Sequence, residues 1–375
     1  MLKITSSFDA GNIEVVSLDH AQDIQLNIRK DSAADFFQWF HFRLQGAQDQ
    51  AVKLRFLNAS KASYVDGWEG YQAVASYDRE TWFRVPSRFE NGELVVEFEP
   101  WQNSVYVAYF APYSYERHLD LLAWAEQSER CRLEDIGSTV EGRDMSLLTI
   151  GEAADDKKNI WLIARQHPGE TMAEWFIEGL LQRLLDDSDA LANKLLQQAV
   201  FHIVPNMNPD GSVLGNLRTN AAGANLNREW LEPTAENSPE VLCVRERMKQ
   251  TGCDLFLDIH GDEGLPYNFI AGQEGTPAPQ HLIDLEAAFQ QVFMTANPDF
   301  QTTHGYPVGK FGPEAMTIAS NWVGDHFKCP AMTLEMPFKD NADQPDEEFG
   351  WSPERSQLLG RSVLHPIYSL LPQLD

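Results

Sequence analysis

After residue 115, strand-like apolar runs alternate with amphipathic helical segments, and this pattern constrains the fold more than any other feature of the sequence. Chains that alternate in this way form an α/β domain. We therefore predict a largely parallel or mixed central sheet flanked by helices. In such sheets ligands bind beyond the carboxyl ends of the strands. The predicted strands are LLTIG, IWLIARQ, AVFHIVPNMN, LFLDIHG and AMTLEMP, and the predicted helices cover 115–129, 171–185, 190–198, 238–251, 280–294 and 354–371.

Residues 1–115 carry a different pattern, in which short runs of β-branched and aromatic residues are separated by polar breakers such as QGAQDQ and ENGE. Within AVKLRF, apolar and charged residues alternate with the period of a half-buried strand. Regularly spaced short strands of this kind predict a β-sandwich. Because 375 residues is long for a single core, we predict an all-β N-terminal sandwich domain over 1–115 and an α/β domain over 116–375.

The composition is strongly acidic. The formal net charge is −27, of which residues 116–375 carry −22. Such a charge argues against nucleic acid and anionic membranes as partners. The first residues lack the basic start and apolar run that are typical of a signal peptide, and no apolar run approaches the roughly 20 residues of a membrane span. The four scattered cysteines predict reduced thiols in a cytoplasmic protein. The sequence does not specify an oligomeric state.

Four side chains with metal-binding or acid–base chemistry lie at or near the ends of predicted strands. His167 and Glu170 follow IWLIARQ, His260 ends DLFLDIH, and Glu335 lies in the apolar AMTLEMPF. A catalytic zinc site uses three ligands of this kind and keeps a fourth position open for water. A further carboxylate must then accept the proton of that water and return it. These residues are therefore candidates for three zinc ligands and a general base.

The same residues also have a structural interpretation. Pro-Gly within HPGE is a turn signal by itself, and the H-x-x-E spacing alone is a weak indication of a metal site. A single histidine at a strand end is commonly a hydrogen-bonded core residue. Glu335 fits a structural role less well, because an unpaired buried carboxylate is costly and needs a partner.

Five motifs together resemble the zinc carboxypeptidases of the carboxypeptidase A superfamily. The β-rich front end followed by YFAPYSYERHLDLL is similar to the cytosolic carboxypeptidase branch, in which an N-terminal β-sandwich precedes the peptidase. The resemblance therefore implies that 116–375 is a zinc carboxypeptidase catalytic domain. The motifs, in the order that the family uses, are HPGE at 167–170, NMNPDG at 206–211, NLNREW at 225–230, DIHG at 258–261 and TLEMP at 333–337.

Carried over residue by residue, the resemblance implies one Zn²⁺ ion held by His167, Glu170 and His260. Glu335 corresponds to the residue that acts as general base and then as general acid. The implied function is zinc-dependent hydrolysis of the C-terminal peptide bond of peptides or protein tails.

Three further residues are implied to bind the substrate. Arg218, in GNLRTN, matches the arginine that stabilises the oxyanion, and Asn227 and Arg228 match the pair that holds the terminal carboxylate. A planar guanidinium binds a carboxylate through two parallel hydrogen bonds. A fixed cation beside the reacting carbonyl matters most as negative charge develops there.

Specificity is less constrained by these motifs. The cytosolic branch often removes acidic C-terminal residues, which implies a cation in the pocket. Lys310 in YPVGKFGPEA is either that cation or a solvated loop lysine. The acidic charge of the domain opposes that preference at long range. The tyrosine that closes the family's pocket is either Tyr267 or Tyr306. Asp258 either orients His260 or caps a neighbouring helix.

Two other functions remain open at this stage. One is a zinc-dependent deacylase or amidase of the same superfamily, which need not keep the Asn-Arg pair. The other is a non-catalytic binding protein on this fold, which need not keep the metal and proton-relay residues. The presence of both sets favours the carboxypeptidase.

Overall fold

A computed structural model describes residues 1–273, 276–307 and 312–374. Two five-stranded sheets lie within residues 3–108, and a seven-stranded sheet with flanking helices follows. The predicted fold class, an α/β part with a mixed central sheet preceded by an all-β part, is confirmed. The strands are β1 (Lys3–Thr5), β2 (Glu14–Ser17), β3 (Ile24–Asn27), β4 (His41–Gln45), β5 (Val52–Phe56), β6 (Val74–Ser76), β7 (Phe83–Arg84), β8 (Ser87–Glu90), β9 (Glu93–Phe98), β10 (Ser104–Ala108), β11 (Cys131–Ser138), β12 (Asp144–Ile150), β13 (Lys158–Ala164), β14 (Ala199–Val204), β15 (Leu255–Asp262), β16 (Phe269–Ala271) and β17 (Ala331–Pro337). The α-helices are α1 (Tyr115–Glu126), α2 (Met172–Leu184), α3 (Ala190–Gln198), α4 (Pro209–Leu214), α5 (Pro239–Thr251), α6 (Gln280–Ala296), α7 (Ala319–Phe327), α8 (Pro353–Ser362) and α9 (Leu364–Leu370).

The N-terminal part is a sandwich of sheets with strand orders β1-β4-β10-β6-β7 and β2-β3-β5-β9-β8. The apolar side chains of β5 are buried and its charged side chains are half-exposed, as the period-two pattern predicts. Phe42 of β4 contacts Phe56 of β5 across the two sheets, with ring centroids 6.3 Å apart. The inner faces of the two sheets therefore share one core.

The seven-stranded sheet has the order β11-β12-β14-β13-β15-β17-β16. Its four central strands, β14, β13, β15 and β17, are parallel, whereas the outer strands pair antiparallel. The carboxyl ends of β13, β15 and β17 therefore lie at the same edge of the sheet. Register pairs His260 of β15 with Glu335 of β17.

Both faces of this sheet are covered. Ile160 and Leu162 of β13 join a core that contains residues of α2, α6, α8 and α9 and extends into the sandwich. The alternate residues Trp161 and Ile163 face a second core, which contains residues of α5 and α7. A strand buried on both sides explains why IWLIA reads as a continuous apolar run.

The single helix predicted over 354–371 is wrong, because the chain forms two helices, α8 and α9, that meet at Val363. Proline is tolerated only in the first turn of a helix, where backbone N–H groups have no partner inside the helix. Pro366 occupies such a position in α9, so a continuous helix through it is disfavoured.

The two parts of the chain pack closely. Tyr109 stacks on Phe338 with ring centroids 4.7 Å apart. The buried guanidinium of Arg84 donates to the carbonyl oxygens of Phe349 and Trp351 at 3.1 and 2.9 Å. The division into domains at 115/116 stays a prediction. Within the described ranges, no helix combines the length and apolarity needed to cross a membrane.

Candidate active site

The HPGE motif forms the connection between β13 and α2, and a buried arginine holds it in place. Arg165 has a positive φ of 59°, and its guanidinium donates to Glu174 at 2.8 Å and to the carbonyl of Tyr113 at 2.9 Å. The N–H of Gly169 donates to the carbonyl of Leu217 at 2.9 Å. A Cβ at position 169 would lie 3.0 Å from that oxygen, so glycine suits this close approach.

The three predicted zinc ligands converge at the edge of the sheet. Nδ1 of His167 lies 2.6 Å from Oε1 of Glu170, and Nδ1 of His260 lies 2.8 Å from Oε2 of the same carboxylate. All three side chains are buried, and one ligand atom from each lies within 4.8 Å of the others. Among the residues that the structure describes, this is the only such group of three.

Acceptors on the far side of each imidazole orient these ligands. Nε2 of His260 lies 2.9 Å from Oδ2 of Asp258, and Nε2 of His167 lies 3.0 Å from Oδ1 of Asn225. Because both partners are acceptors, each can take the hydrogen of its Nε2, which leaves each Nδ1 as the atom that would bind a metal ion. Metal-binding histidines commonly have such a partner. The donor set therefore fits a divalent cation, and Asp258 contacts His260 rather than a helix.

Charge in this cluster is arranged to favour a cation. Burial lowers the pKa of His167 to about 4, so the imidazole is neutral near pH 7. Burial also raises the pKa of Glu170, but the two histidines outweigh it and hold that pKa well below its usual range. Burial lowers the pKa of His260, yet the Asp258 and Glu170 carboxylates raise it well above its usual value. A proton and a metal ion therefore compete for the same place.

Glu335 lies beside the ligand cluster on β17. Because it is register-paired with His260 in adjacent parallel strands, its side chain is on the same face of the sheet. The carboxylate lines the cavity, and its Oε2 has no hydrogen-bond partner among the described residues. Burial raises its pKa well above the usual value. An unpaired carboxylate oxygen with a raised pKa suits a group that accepts a proton and gives it back.

Arg218, Asn227 and Arg228 lie in the same cavity. Oδ1 of Asn227 accepts from the N–H of Ala319 at 2.9 Å, and Nη1 of Arg228 donates to the carbonyl of Asn227 at 2.6 Å. Burial lowers the pKa of Arg228, and repulsion by Arg218 lowers it further. Two cations held close enough to repel each other form a site that binding of an anion would stabilise.

The cavity that contains these groups has a volume of about 710 Å³ and receives residues from both parts of the chain. Tyr64 of the N-terminal part lines it, as does Tyr306, whose hydroxyl donates to Asp262 at 2.6 Å. Tyr267 instead stacks on His304, with ring centroids 4.1 Å apart. Of the two predicted tyrosines, Tyr306 is the one at the site. The predicted pocket cation, Lys310, falls outside the described residues.

The sequence indicates two further residues of the site, Asn225 and Tyr64, to different degrees. Asn225 begins the NLNREW motif, so the motif points to it without indicating its contact with His167. Tyr64 lies in the β-rich part, where no motif indicates proximity to the cavity, and only the packing of the two parts brings it there.

Comparison with known families agrees with this geometry. A family model described as zinc carboxypeptidase matches residues 115–361. The chain belongs to the zinc carboxypeptidase family. A second model, described as cytosolic carboxypeptidase N-terminal domain, matches residues 4–110. The resemblance inferred from the five motifs is therefore confirmed.

Similar proteins cover this carboxypeptidase over most of its length. An uncharacterised protein of Zymomonas mobilis is 49% identical, with 100% of this chain and 97% of the relative covered. Cytosolic carboxypeptidase 6 of Caenorhabditis elegans is 27% identical, with 90% and 79% covered. A crystal structure of a metallo-carboxypeptidase from Burkholderia cenocepacia is 51% identical with a TM-score of 0.98 and full coverage of both chains. The metallo-carboxypeptidase from Pseudomonas aeruginosa in complex with (2-guanidinoethylmercapto)succinic acid is 47% identical with a TM-score of 0.97, again with full coverage of both.

Membership of the family establishes the reaction class. The protein is a metallocarboxypeptidase, a hydrolase of C-terminal peptide bonds, and its cofactor is one zinc ion.

Proposed function

We propose that this carboxypeptidase removes the last residue from peptides or protein tails, with His167, Glu170 and His260 as zinc ligands. The observation that carries the proposal is the convergence of these three ligand atoms in one cavity with Glu335, Arg218 and Arg228. Within the described part of the chain, Oε2 of Glu335 has no hydrogen-bond partner. When bound, zinc supplies a Lewis acid that polarises the scissile carbonyl and makes water a better nucleophile.

The residues of the chain perform the remaining steps. Glu335 accepts a proton from the attacking water and delivers it to the departing amine nitrogen. Arg218 stabilises the negative charge that develops on the carbonyl oxygen. Asn227 and Arg228 bind the free terminal carboxylate of the substrate, which makes the enzyme an exopeptidase.

The preference for acidic C-terminal residues stays a prediction. The uncharged residues Ser320, Asn321 and Thr333 are among those that line the cavity. The acidic side chains Asp66 and Glu263 also line the cavity, so an acidic substrate residue requires either these uncharged groups or Lys310 as its partner. The ligand of the Pseudomonas aeruginosa relative has a guanidino group as well as a succinate. Peptides that end in basic residues should therefore be tested as well.

The experiment is amino-acid release, measured by mass spectrometry, from a peptide library varied at its last residue. Glu335→Gln should lower kcat by roughly 10²- to 10⁴-fold, the usual contribution of general acid–base catalysis, while zinc content stays at one ion per chain. Glu126→Gln, at an exposed position on α1, is the matched control.

Further substrates in the same experiment separate the alternatives. Peptides with an amidated C-terminus should not be cleaved, because the carboxylate clamp then has no partner. Cleavage of N-acyl amino acids without any peptide hydrolysis would favour a deacylase, and zinc binding without any hydrolysis would favour a binding protein. We also propose a cytoplasmic location, which is supported by the names of the cytosolic relatives.

A further inference from the structure

The backbone segment that carries Arg218 is bound by a carboxylate from the other part of the chain. Oδ1 of Asp31 accepts from the N–H of Leu217 at 2.6 Å, and Oδ2 accepts from the N–H of Arg218 at 3.0 Å. Oδ2 also accepts from the N–H and the hydroxyl of Thr219 at 2.9 and 2.8 Å. Asp31 is only 5% exposed. Hydrogen bonds to a carboxylate are strong, so three successive amides bound to one group fix the path of this segment.

The guanidinium of Arg218 is also held by the N-terminal part. Its Cζ lies 5.8 Å from the ring centroid of Phe36 and 5.4 Å from that of Tyr64. These contacts are cation–π interactions, which orient a cation without neutralising it. Among the described residues, no carboxylate lies within ion-pair distance of Arg218. The charge is therefore available to a substrate oxygen.

The same segment is tied to the metal site on its other side. The carbonyl of Leu217 accepts from the N–H of Gly169, which lies between His167 and Glu170. Hydrogen bonds thus run from Asp31 through residues 217–219 to the loop that supplies two of the proposed zinc ligands. A shift of the segment would change the distance between the guanidinium and the reacting carbonyl.

We propose that Asp31 is a positioning residue that places Arg218 for catalysis, so that the N-terminal sandwich completes the active site. The inference rests on the role proposed above for Arg218. It differs from a purely structural role, in which Asp31 only joins the two parts and its loss lowers stability without acting through Arg218.

The test is a double-mutant cycle between Asp31→Asn and Arg218→Ala, measured on the full-length zinc enzyme. Asn retains one acceptor oxygen but cannot accept on both sides, so the segment is held less firmly. We expect kcat to fall by roughly 10- to 100-fold with KM little changed, as for a small misplacement of a catalytic group. In the Arg218→Ala background, Asp31→Asn should cause no further loss. Asp35→Asn, on an exposed side chain of the same loop, is the matched control.

A second variant keeps the inference testable if Asp31→Asn does not fold. Thr219→Val removes only one of the four donors and should give a smaller fall in kcat that also vanishes in the Arg218→Ala background. Burial raises the pKa of Asp31, although its hydrogen-bond donors oppose this. The kinetics should therefore be measured on the alkaline side of neutrality, which favours the ionised carboxylate. The inference would be overturned if the kcat losses of Asp31→Asn and Arg218→Ala multiply in the double mutant. An unchanged kcat in Asp31→Asn would overturn it too.

The outcomes separate this inference from the proposed function. If the wild-type enzyme releases no amino acid, or if Arg218→Ala leaves kcat unchanged, the proposed function or the role of Arg218 fails. Amide hydrogen exchange then decides the placement of the segment independently of activity. Asp31→Asn should speed exchange at residues 217–219, with protection elsewhere retained, and unchanged exchange there would overturn the inference.

Discussion

Replacing Asp258 by Asn tests whether a carboxylate behind His260 strengthens zinc binding. Asp258 is fully buried, and its Oδ2 lies 2.9 Å from Nε2 of His260 and 2.6 Å from Nε2 of Gln166. An Asn oxygen in the same place can accept both hydrogen bonds. Oδ1 of Asp258 has no hydrogen-bond partner among the described residues, so the new amide nitrogen breaks no existing bond. The substitution therefore removes mainly the negative charge.

The magnitude follows from the position of that charge. Groups that hold a metal-binding histidine from behind change metal affinity by about 10- to 100-fold, which corresponds to about 1.4 to 2.7 kcal/mol. The same carboxylate raises the pKa of His260 in the metal-free protein. Asn at position 258 therefore also weakens the binding of the proton that competes with zinc. We expect the full loss of zinc affinity at alkaline pH, where His260 has lost that proton, and a smaller loss as the pH falls.

Zinc affinity can be measured by competition with a chromophoric chelator at two pH values, one alkaline and one slightly acidic. Asp254→Asn is the matched control, because Asp254 immediately precedes β15, at the end away from His260, and accepts from the N–H of Asn159 at 2.6 Å. Equal zinc affinities of wild type and Asp258→Asn at alkaline pH would refute the reasoning. A loss that grows as the pH falls would refute it too.

Three further predictions concern stability and charge. Burial raises the pKa of Glu240 from 4.5 to about 7. The folded protein therefore holds this proton to higher pH than the unfolded chain, and stability falls as the pH rises through that range. Glu240→Gln should be more stabilising at pH 8 than at pH 4.5 by about 3 kcal/mol, measured by urea unfolding. Arg84→Met leaves buried carbonyl oxygens of the catalytic part without a donor and should lower the free energy of unfolding by about 3 kcal/mol, whereas Arg88→Met, on the exposed strand β8, should change it little. Added salt screens long-range repulsion between the acidic protein and acidic peptides, so it should lower KM for peptides that end in Glu more than for those that end in Ala.

The ligand cluster is predictable from sequence because local patterns specify it. Apolar runs identify β13, β15 and β17, and parallel strands place their carboxyl ends at one edge of the sheet. His167, His260 and Glu335 follow or end those runs, so their proximity results from sheet geometry. The motif order then adds Arg218 and Arg228, which no periodicity indicates.

Other features depend on contacts that no local pattern encodes. Only the path of the loop that brings Tyr306 to the cavity distinguishes it from the other candidate tyrosine, Tyr267. The edge strand β16 has three residues, too few to show a period. Asp31 and Arg218 lie 187 positions apart, and an aspartate in a polar turn gives no indication that its partners are distant amides.

The irregular segment that carries Arg218 explains why such a distant partner is needed. Residues 215–225 contain no helix or strand, so the amides of residues 217–219 have no partner in regular secondary structure, and buried amides require acceptors. Ordering such a loop also costs conformational entropy, which contacts must offset. The proposed zinc ligands lie at the end of β15 and in the connection between β13 and α2, whereas Arg218 depends on an acceptor and aromatic faces from the sandwich. Because the same segment also binds the loop of the proposed zinc ligands through Gly169, we expect a change in the sandwich to slow catalysis more than it weakens zinc binding.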